Sequence, residues 1–113
     1  MRLTSKRLVR QCRRTAHLMK SYPQPEDVTS PKRNWSLIKV IYKGSPDDYS
    51  IAVGRWDNVP CLGIRWNACE ERPVGNPQSR GLPTWFILPQ PLEGAVLGTL
   101  DAGVREFARN FLK

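Results

Sequence analysis

The stretch SIAVGRWDNVPCLGIRWNA, residues 50–68, decides the fold, because it holds two apolar runs that each end in an Arg-Trp pair. The insert DNVP between the runs consists largely of turn formers. The stretch therefore predicts two strands, 49–56 and 61–67, joined by a tight connection. Either the tryptophans of such a hairpin are core residues, or they form an open platform for a flat ligand.

Two further strands and a helix follow from the rest of the sequence. Residues 35–43 (WSLIKVIYK) and 84–88 (TWFIL) are rich in β-branched and aromatic side chains, which predicts the first and fourth strands. After residue 91, apolar residues recur every three or four positions, and this spacing predicts one helix of about twenty residues with a single apolar face. The residues of that face are Leu92, Val96, Leu100, Val104, Phe107 and Phe111.

The predicted fold class is α+β, with a four-stranded antiparallel sheet followed by a long C-terminal helix and preceded by a basic N-terminal helix or arm. Residues 35–113 are predicted to form this β-β-β-β-α domain, and residues 1–20 the basic amphipathic arm. Residues 21–34, which include three prolines, are predicted to be a linker. Residues 68–83 form a long loop, and long loops in small domains often carry function.

Positive charge is concentrated at the N-terminus. The chain has 18 Lys and Arg residues against 10 Asp and Glu, a net charge of +8. Seven of these cations and no acid lie in residues 1–20, so the other 93 residues carry 11 cations against 10 acids, a net charge of +1. Such an arm is typical of contact with a polyanion, of attraction to an anionic membrane surface or of organelle targeting.

Several classes of protein are not indicated by the sequence. The three cysteines have no CxxC spacing, which predicts free thiols and a reducing, cytoplasmic compartment, while organelle targeting by residues 1–20 stays open. Cys12, His17, Cys61 and Cys69 lack the close spacing of a zinc site, so neither a metal nor a cofactor is predicted. No hydrolase or metalloprotease motif is present, which predicts a protein that is not an enzyme. No run approaches the roughly 20 apolar residues of a membrane span.

The predicted binding site is an aromatic and basic surface on the sheet. If the helix covers one face, the small residues of the other face would leave a shallow surface where bases stack on indoles and arginines bind phosphates. Those small residues are Ala52, Gly54 and Gly63. The predicted nucleic-acid contacts are Arg7, Arg10, Arg13 and Arg14 in the arm and Arg55, Trp56, Arg65, Trp66 and Arg80 in the body. The alternative assigns the tryptophans to the core, Arg55 and Arg65 to surface ion pairs, and Arg80 to an ordered connection.

The segments RWDNVPCLGIRW (55–66) and LPTWFILPQPLEGAVLGTL (82–100), with the order of four strands and a helix, resemble the bacterial branch of the positive-cofactor-four single-stranded DNA-binding family. The resemblance covers about residues 49–100 and matches Trp56, Arg65 and Trp66 to that family's aromatic and basic positions. It implies a homodimer formed through the long helices, with curved sheets that bind single-stranded nucleic acid. The longer loop and the helix-like arm depart from the family's pattern.

The sequence as a whole predicts a non-catalytic nucleic-acid-binding protein, for single strands, used in transcription, replication or DNA transfer. The alternative from another class is a small protein-interaction module, such as a phage- or plasmid-type inhibitor of a nucleic-acid enzyme. In that case the basic arm would occupy an acidic groove of the partner. A third interpretation makes residues 1–20 a transit segment that is removed from the mature protein.

Overall fold

The computed structural model describes residues 22–113. The predicted arm, with Arg7, Arg10, Arg13 and Arg14, lies outside the described residues. The strands are β1 (Trp35–Lys43), β2 (Tyr49–Trp56), β3 (Val59–Trp66), β4 (Gln78–Ser79), β5 (Leu82–Pro83) and β6 (Phe86–Ile87). Four of them form the antiparallel sheet in the order β1-β2-β3-β6, and β4 and β5 form a separate hairpin.

A tight turn joins β2 to β3. Asp57 and Asn58 have positive φ values of 52° and 71° and connect β2 to β3, so that Trp56 pairs with Val59. Two consecutive residues with positive φ give the turn whose twist matches that of the flanking strands, and Asn and Asp tolerate this conformation. The predicted tight connection is therefore a two-residue turn, and Val59 and Pro60 belong to β3.

The predicted long C-terminal helix is wrong. The structure has a short 3-10 helix (Gln90–Leu92), helix α1 (Glu93–Leu97) and a separate helix α2 (Ala102–Leu112). Gly98 caps the C-terminus of α1, and Asp101, in an extended conformation, caps α2 by accepting a hydrogen bond from the Val104 backbone N–H at 3.1 Å. The apolar spacing continues across this break because both helices pack on the same face of the sheet. Periodicity alone therefore missed the Gly and Asp caps.

The two faces of the sheet bury two separate clusters. The helix face, which α1 and α2 cover, packs Ile51, Val53 and Leu62 against helix residues that include Leu97 and Ala108. The predicted strand 84–88 shortens to Phe86–Ile87. Leu88 still donates its backbone N–H to the Leu62 carbonyl at 2.9 Å and packs its side chain into the cluster beneath the helices.

The opposite face packs five buried residues together: Val28, Trp35, Ala52, Cys61 and Trp85. Val28 belongs to the predicted linker, and its carbonyl accepts a 2.7 Å hydrogen bond from Trp85 Nε1. The segment before β1 therefore packs on the sheet. None of the helices in residues 22–113 is both long enough and apolar enough to cross a bilayer.

Candidate functional site

The opposite face of the sheet holds indole rings, and its small residues make room for them. A Cβ atom on Gly54 would lie 2.5 Å from the Ser36 carbonyl oxygen and 2.7 Å from Cζ3 of Trp35. A Cβ on Gly63 would lie 3.2 Å from Cε3 of Trp85. The two rings are only 3% and 5% exposed. Gly54 and Gly63, which were expected to leave a shallow binding surface, instead make room for the buried rings of Trp35 and Trp85, and we term these two positions sockets. This face of the sheet is therefore closed to a ligand.

Trp56 lies at the end of this closed face. It is half-buried, pairs with Trp35 across β1 and β2, and packs against the cluster that contains Trp35 and Trp85. The structure thus places Trp56 on the opposite side of the sheet from Trp66, whose neighbours on β3 belong to the helix face. The two Arg-Trp pairs do not form one surface.

Arg65 is turned inward and holds the loop that follows β3. Its side chain is only 3% exposed, and its guanidinium donates hydrogen bonds to the main-chain carbonyls of Val74, Pro77 and Thr84. Desolvation by burial lowers its pKa to about 10, which still leaves it a cation at neutral pH. Gly75, with φ of 71°, allows this approach, because a Cβ there would overlap the guanidinium. Arg65 therefore positions residues 74–84 and presents no charge at the surface.

Arg55 lies near the end of β2 that is remote from Tyr49, the partner of Trp66, and Arg80 lies in the separate hairpin of β4 and β5. Arg55 packs its guanidinium 4.9 Å from the ring centroid of Phe111 in α2. Arg80 is exposed in the two-residue turn between β4 and β5, with φ of 53°. The structure therefore does not gather the predicted arginines of residues 22–113 into one phosphate clamp.

An open aromatic surface does occur, but on the helix face, beyond the end of the helices. Cross-strand pairing places Tyr49 beside Trp66 and Ile64 beside Phe86 on that face. Trp66 is 45% exposed and Phe86 is 52% exposed. With Asn76 and Pro77, these side chains line a groove of about 490 Å³, which we term the aromatic groove. The Tyr49 and Trp66 rings meet edge to face, with centroids 6.1 Å apart.

The loop after β3 adds a cation to the aromatic groove. Reciprocal 3.1 Å backbone hydrogen bonds between Cys69 and Arg72 close this loop and return the chain toward the sheet. The Arg72 guanidinium lies 5.3 Å from the Trp66 ring centroid, while its Nε donates to the Asn67 carbonyl at 3.1 Å. A guanidinium over an indole face is a cation–π contact. The exposed Trp66 ring and the half-buried Arg72, whose Nη2 is enclosed, thus place an aromatic and a cationic group side by side.

The rings of Trp66, Tyr49 and Tyr42 form a row, and carboxylates lie near its Tyr42 end. The Tyr42 ring is 5.1 Å from that of Tyr49, and its hydroxyl donates to Asp48 at 3.4 Å. Burial raises the pKa of Tyr42 and the negative charge of Asp48 raises it further, so this hydroxyl keeps its proton well into the alkaline range. Glu70 and Glu71 also precede Arg72 in the loop. Within residues 22–113, the groove therefore has a half-buried cation, Arg72, a buried one, Arg65, and carboxylates nearby.

Sequence reasoning found Trp66 but missed Tyr49, Arg72 and Phe86. Tyr49 and Phe86 were detectable in principle, because the alternation of β2, β3 and β6 assigns them to the face of Trp66 once the strand pairing is known. Arg72 lies in an irregular loop, and no periodicity marks it. No cluster of His, Cys, Asp or Glu suited to a metal ion is found within residues 22–113.

The fold and the groove define a small α+β domain with an exposed aromatic surface at one end of its sheet. Comparison of the chain with protein families, curated proteins and solved structures found no match. The resemblance to the single-stranded DNA-binding family stays a prediction, and so does the homodimer that it implies.

Proposed function

We propose that this protein binds single-stranded nucleic acid without catalysis, by stacking bases in the aromatic groove. The observation that carries the proposal is the Trp66–Arg72 pair, in which an accessible indole and a guanidinium lie 5.3 Å apart beside the exposed ring of Phe86. Bases stack on aromatic rings without sequence readout, and arginine contributes both stacking and phosphate contact.

The cationic segment supplies the attraction that the groove lacks. Residues 1–20 hold seven of the 18 cations, whereas the remaining 93 residues are nearly neutral. Phosphate contacts from such a segment give binding that weakens steeply with salt and has little dependence on sequence. In this proposal the arm arginines and Arg80 contribute long-range attraction, Trp66 and Phe86 contribute stacking, and Arg65 acts only by shaping the groove.

The composition of the groove favours one second candidate, a protein-interaction module. The walls are almost entirely carbon, from Tyr49, Ile64, Trp66, Pro77 and Phe86. Aromatic grooves of this kind also bind extended proline-rich peptides. A peptide with an apolar or proline-rich segment and basic flanks would suit these walls and the nearby carboxylates.

The proposal is tested by titrating the full chain with an oligothymidylate of eight nucleotides and with a duplex of the same length. Each titration is done at low and at high salt. We expect the single strand to quench tryptophan fluorescence and the duplex to bind more weakly. Trp66→Ala should remove most of the quenching and weaken binding at least about fivefold, since stacking contributes about 1–3 kcal/mol per base. Val59→Ala removes an exposed apolar side chain at the far end of β3 and should leave binding unchanged.

Two outcomes would decide against nucleic acid. Absence of quenching at low salt by any oligonucleotide would remove the proposal. Quenching by a proline-rich peptide that depends on Trp66, with no response to oligonucleotides, would establish the second candidate instead.

A further inference from the structure

A second exposed pair of an aromatic ring and a cation lies on the helix face. Phe107 of α2 is 41% exposed, and Lys39 Nζ of β1 lies 4.9 Å from its ring centroid. The two side chains border a groove of about 360 Å³ between β1 and the start of α2, which Ile41 and Val104 also line. Phe107 is outside both buried clusters, so the core does not account for its position.

Strand pairing connects this pair to the aromatic groove. Lys39 pairs with Val53, and Tyr42 pairs with Ile51, so Lys39 and Tyr42 share the helix face. Ring centroids are separated by 6.1 Å from Trp66 to Tyr49 and by 5.1 Å from Tyr49 to Tyr42.

Tyr42 and Lys39 are three positions apart on β1, a distance of roughly 10 Å at about 3.3 Å per residue. With the 4.9 Å from Lys39 to the Phe107 ring, the whole path is roughly 26 Å long. A nucleic-acid strand advances about 3.4 Å per stacked nucleotide and about twice that when extended, so the path suits roughly four to eight nucleotides.

We propose that Phe107 and Lys39 form a distal subsite for the same single strand that occupies the aromatic groove. The nucleic-acid strand would cross the sheet from Trp66 over Tyr49 and Tyr42 and then follow β1 to Phe107. Two cations lie at the distal end of this path, because Lys39 is exposed and Arg55 lies on the same side of the sheet, over Phe111 of the next turn of α2. Two carboxylates also border the path, Asp48 beside Tyr42 and Asp101 in the groove of Phe107. The inference rests on the proposed function and assigns to it a strand longer than the groove itself.

Oligothymidylates of three and eight nucleotides, titrated into the full chain, test the subsite. Phe107→Ala should weaken binding of the eight-nucleotide strand about fivefold or more and leave the three-nucleotide strand unaffected, since only the longer strand reaches the subsite. Lys39→Gln should weaken binding of the eight-nucleotide oligothymidylate and reduce the slope of log affinity against log salt by about one. Trp66→Ala should weaken binding of both oligonucleotides.

The controls separate this inference from the proposed function. Lys32→Gln changes an exposed lysine outside the path, and its salt slope should match that of the wild type. If Phe107→Ala and Lys39→Gln leave the eight-nucleotide affinity unchanged while Trp66→Ala lowers it, the subsite is wrong and the groove assignment stands. If neither oligonucleotide binds the wild-type chain at low salt, the proposed function itself fails.

Discussion

The opposite face and the aromatic groove are both built from large aromatic residues on the same sheet, yet only one of them is closed. On the opposite face, Trp35 and Trp85 fit above Gly54 and Gly63 and are covered by the segment that contains Val28. In the groove, Trp66 has the same chemistry but, within residues 22–113, stays 45% exposed with the Arg72 guanidinium over its ring. In this sheet, the small neighbours of a tryptophan therefore mark space that a buried ring fills, not an open binding surface.

The two regions also differ in the hydrogen bonds that hold their tryptophans. Trp85 uses its indole N–H to bind the covering segment at Val28, which fixes the ring in the core. Trp66 is held by its backbone, through a reciprocal pair of hydrogen bonds with Asn76 of 2.7 Å and 3.2 Å. Its indole is therefore positioned by the main chain while the ring stays accessible. Accessible rings on a fixed backbone suit binding, because little order has to be gained when a ligand arrives.

The largest effect is expected at the socket of the closed face. Gly54→Val should destabilise the protein by on the order of 3 kcal/mol or more, since the new side chain would overlap both the Trp35 ring and the Ser36 carbonyl. Urea denaturation measures this change. Gly94→Ala is the matched control, because a Cβ at Gly94 in α1 meets nothing within 4 Å and Ala raises helix stability by about 0.5–1 kcal/mol. Equal stabilities of the two variants would contradict the socket.

An intermediate effect is expected at the buried guanidinium that shapes the groove. Arg65→Met should cost about 2–3 kcal/mol, because it removes a charged donor from the carbonyls of Val74, Pro77 and Thr84. Thermal or urea unfolding gives the cost, and oligonucleotide titration shows whether the groove persists. Arg109→Met changes an exposed arginine of α2 and should stay within about 0.5 kcal/mol of the wild type. A cost for Arg65→Met no greater than for this control would show that the guanidinium does not hold the loop.

The smallest effect is expected from the Cys61 thiol beneath the closed face. Burial raises the pKa of Cys61 above its ordinary value of 9.0, so above that pH the folded protein keeps a proton that the unfolded chain has lost. This group therefore makes the protein less stable as the pH rises above about 9. Between pH 8 and pH 10, the urea midpoint should fall further for the wild type than for Cys61→Ala. Identical falls would indicate that the thiol is not desolvated.

The strands were largely predictable, because their signals are local. The alternation in residues 49–66 and the turn at Asp57 and Asn58 specify the hairpin before any tertiary contact is considered. The long helix was not predictable from apolar spacing, since helices in register on one sheet face keep that spacing across a break at Asp101.

The candidate site was only partly predictable, because its accessibility depends on what covers each face. Trp66 was predicted as a contact by its type and position, and the structure places it in the aromatic groove, but nothing local distinguishes it from Trp56. Arg65 reads as a surface cation at the end of a strand, and only the loop of residues 74–84 supplies the three carbonyls that bury it. Arg72 has no sequence signal, since its place over Trp66 follows from a turn closed by backbone hydrogen bonds to Cys69.

The most direct test of the account follows the four indole N–H signals of the protein by two-dimensional NMR while an eight-residue oligothymidylate is added at low salt. We expect the Trp66 signal to shift progressively, while the signals of Trp35 and Trp85 stay in place because their rings are buried. A shift of the Trp35 or Trp85 signal with Trp66 unmoved would place the binding surface on the opposite face. That result would contradict the assignment of the ligand to the aromatic groove.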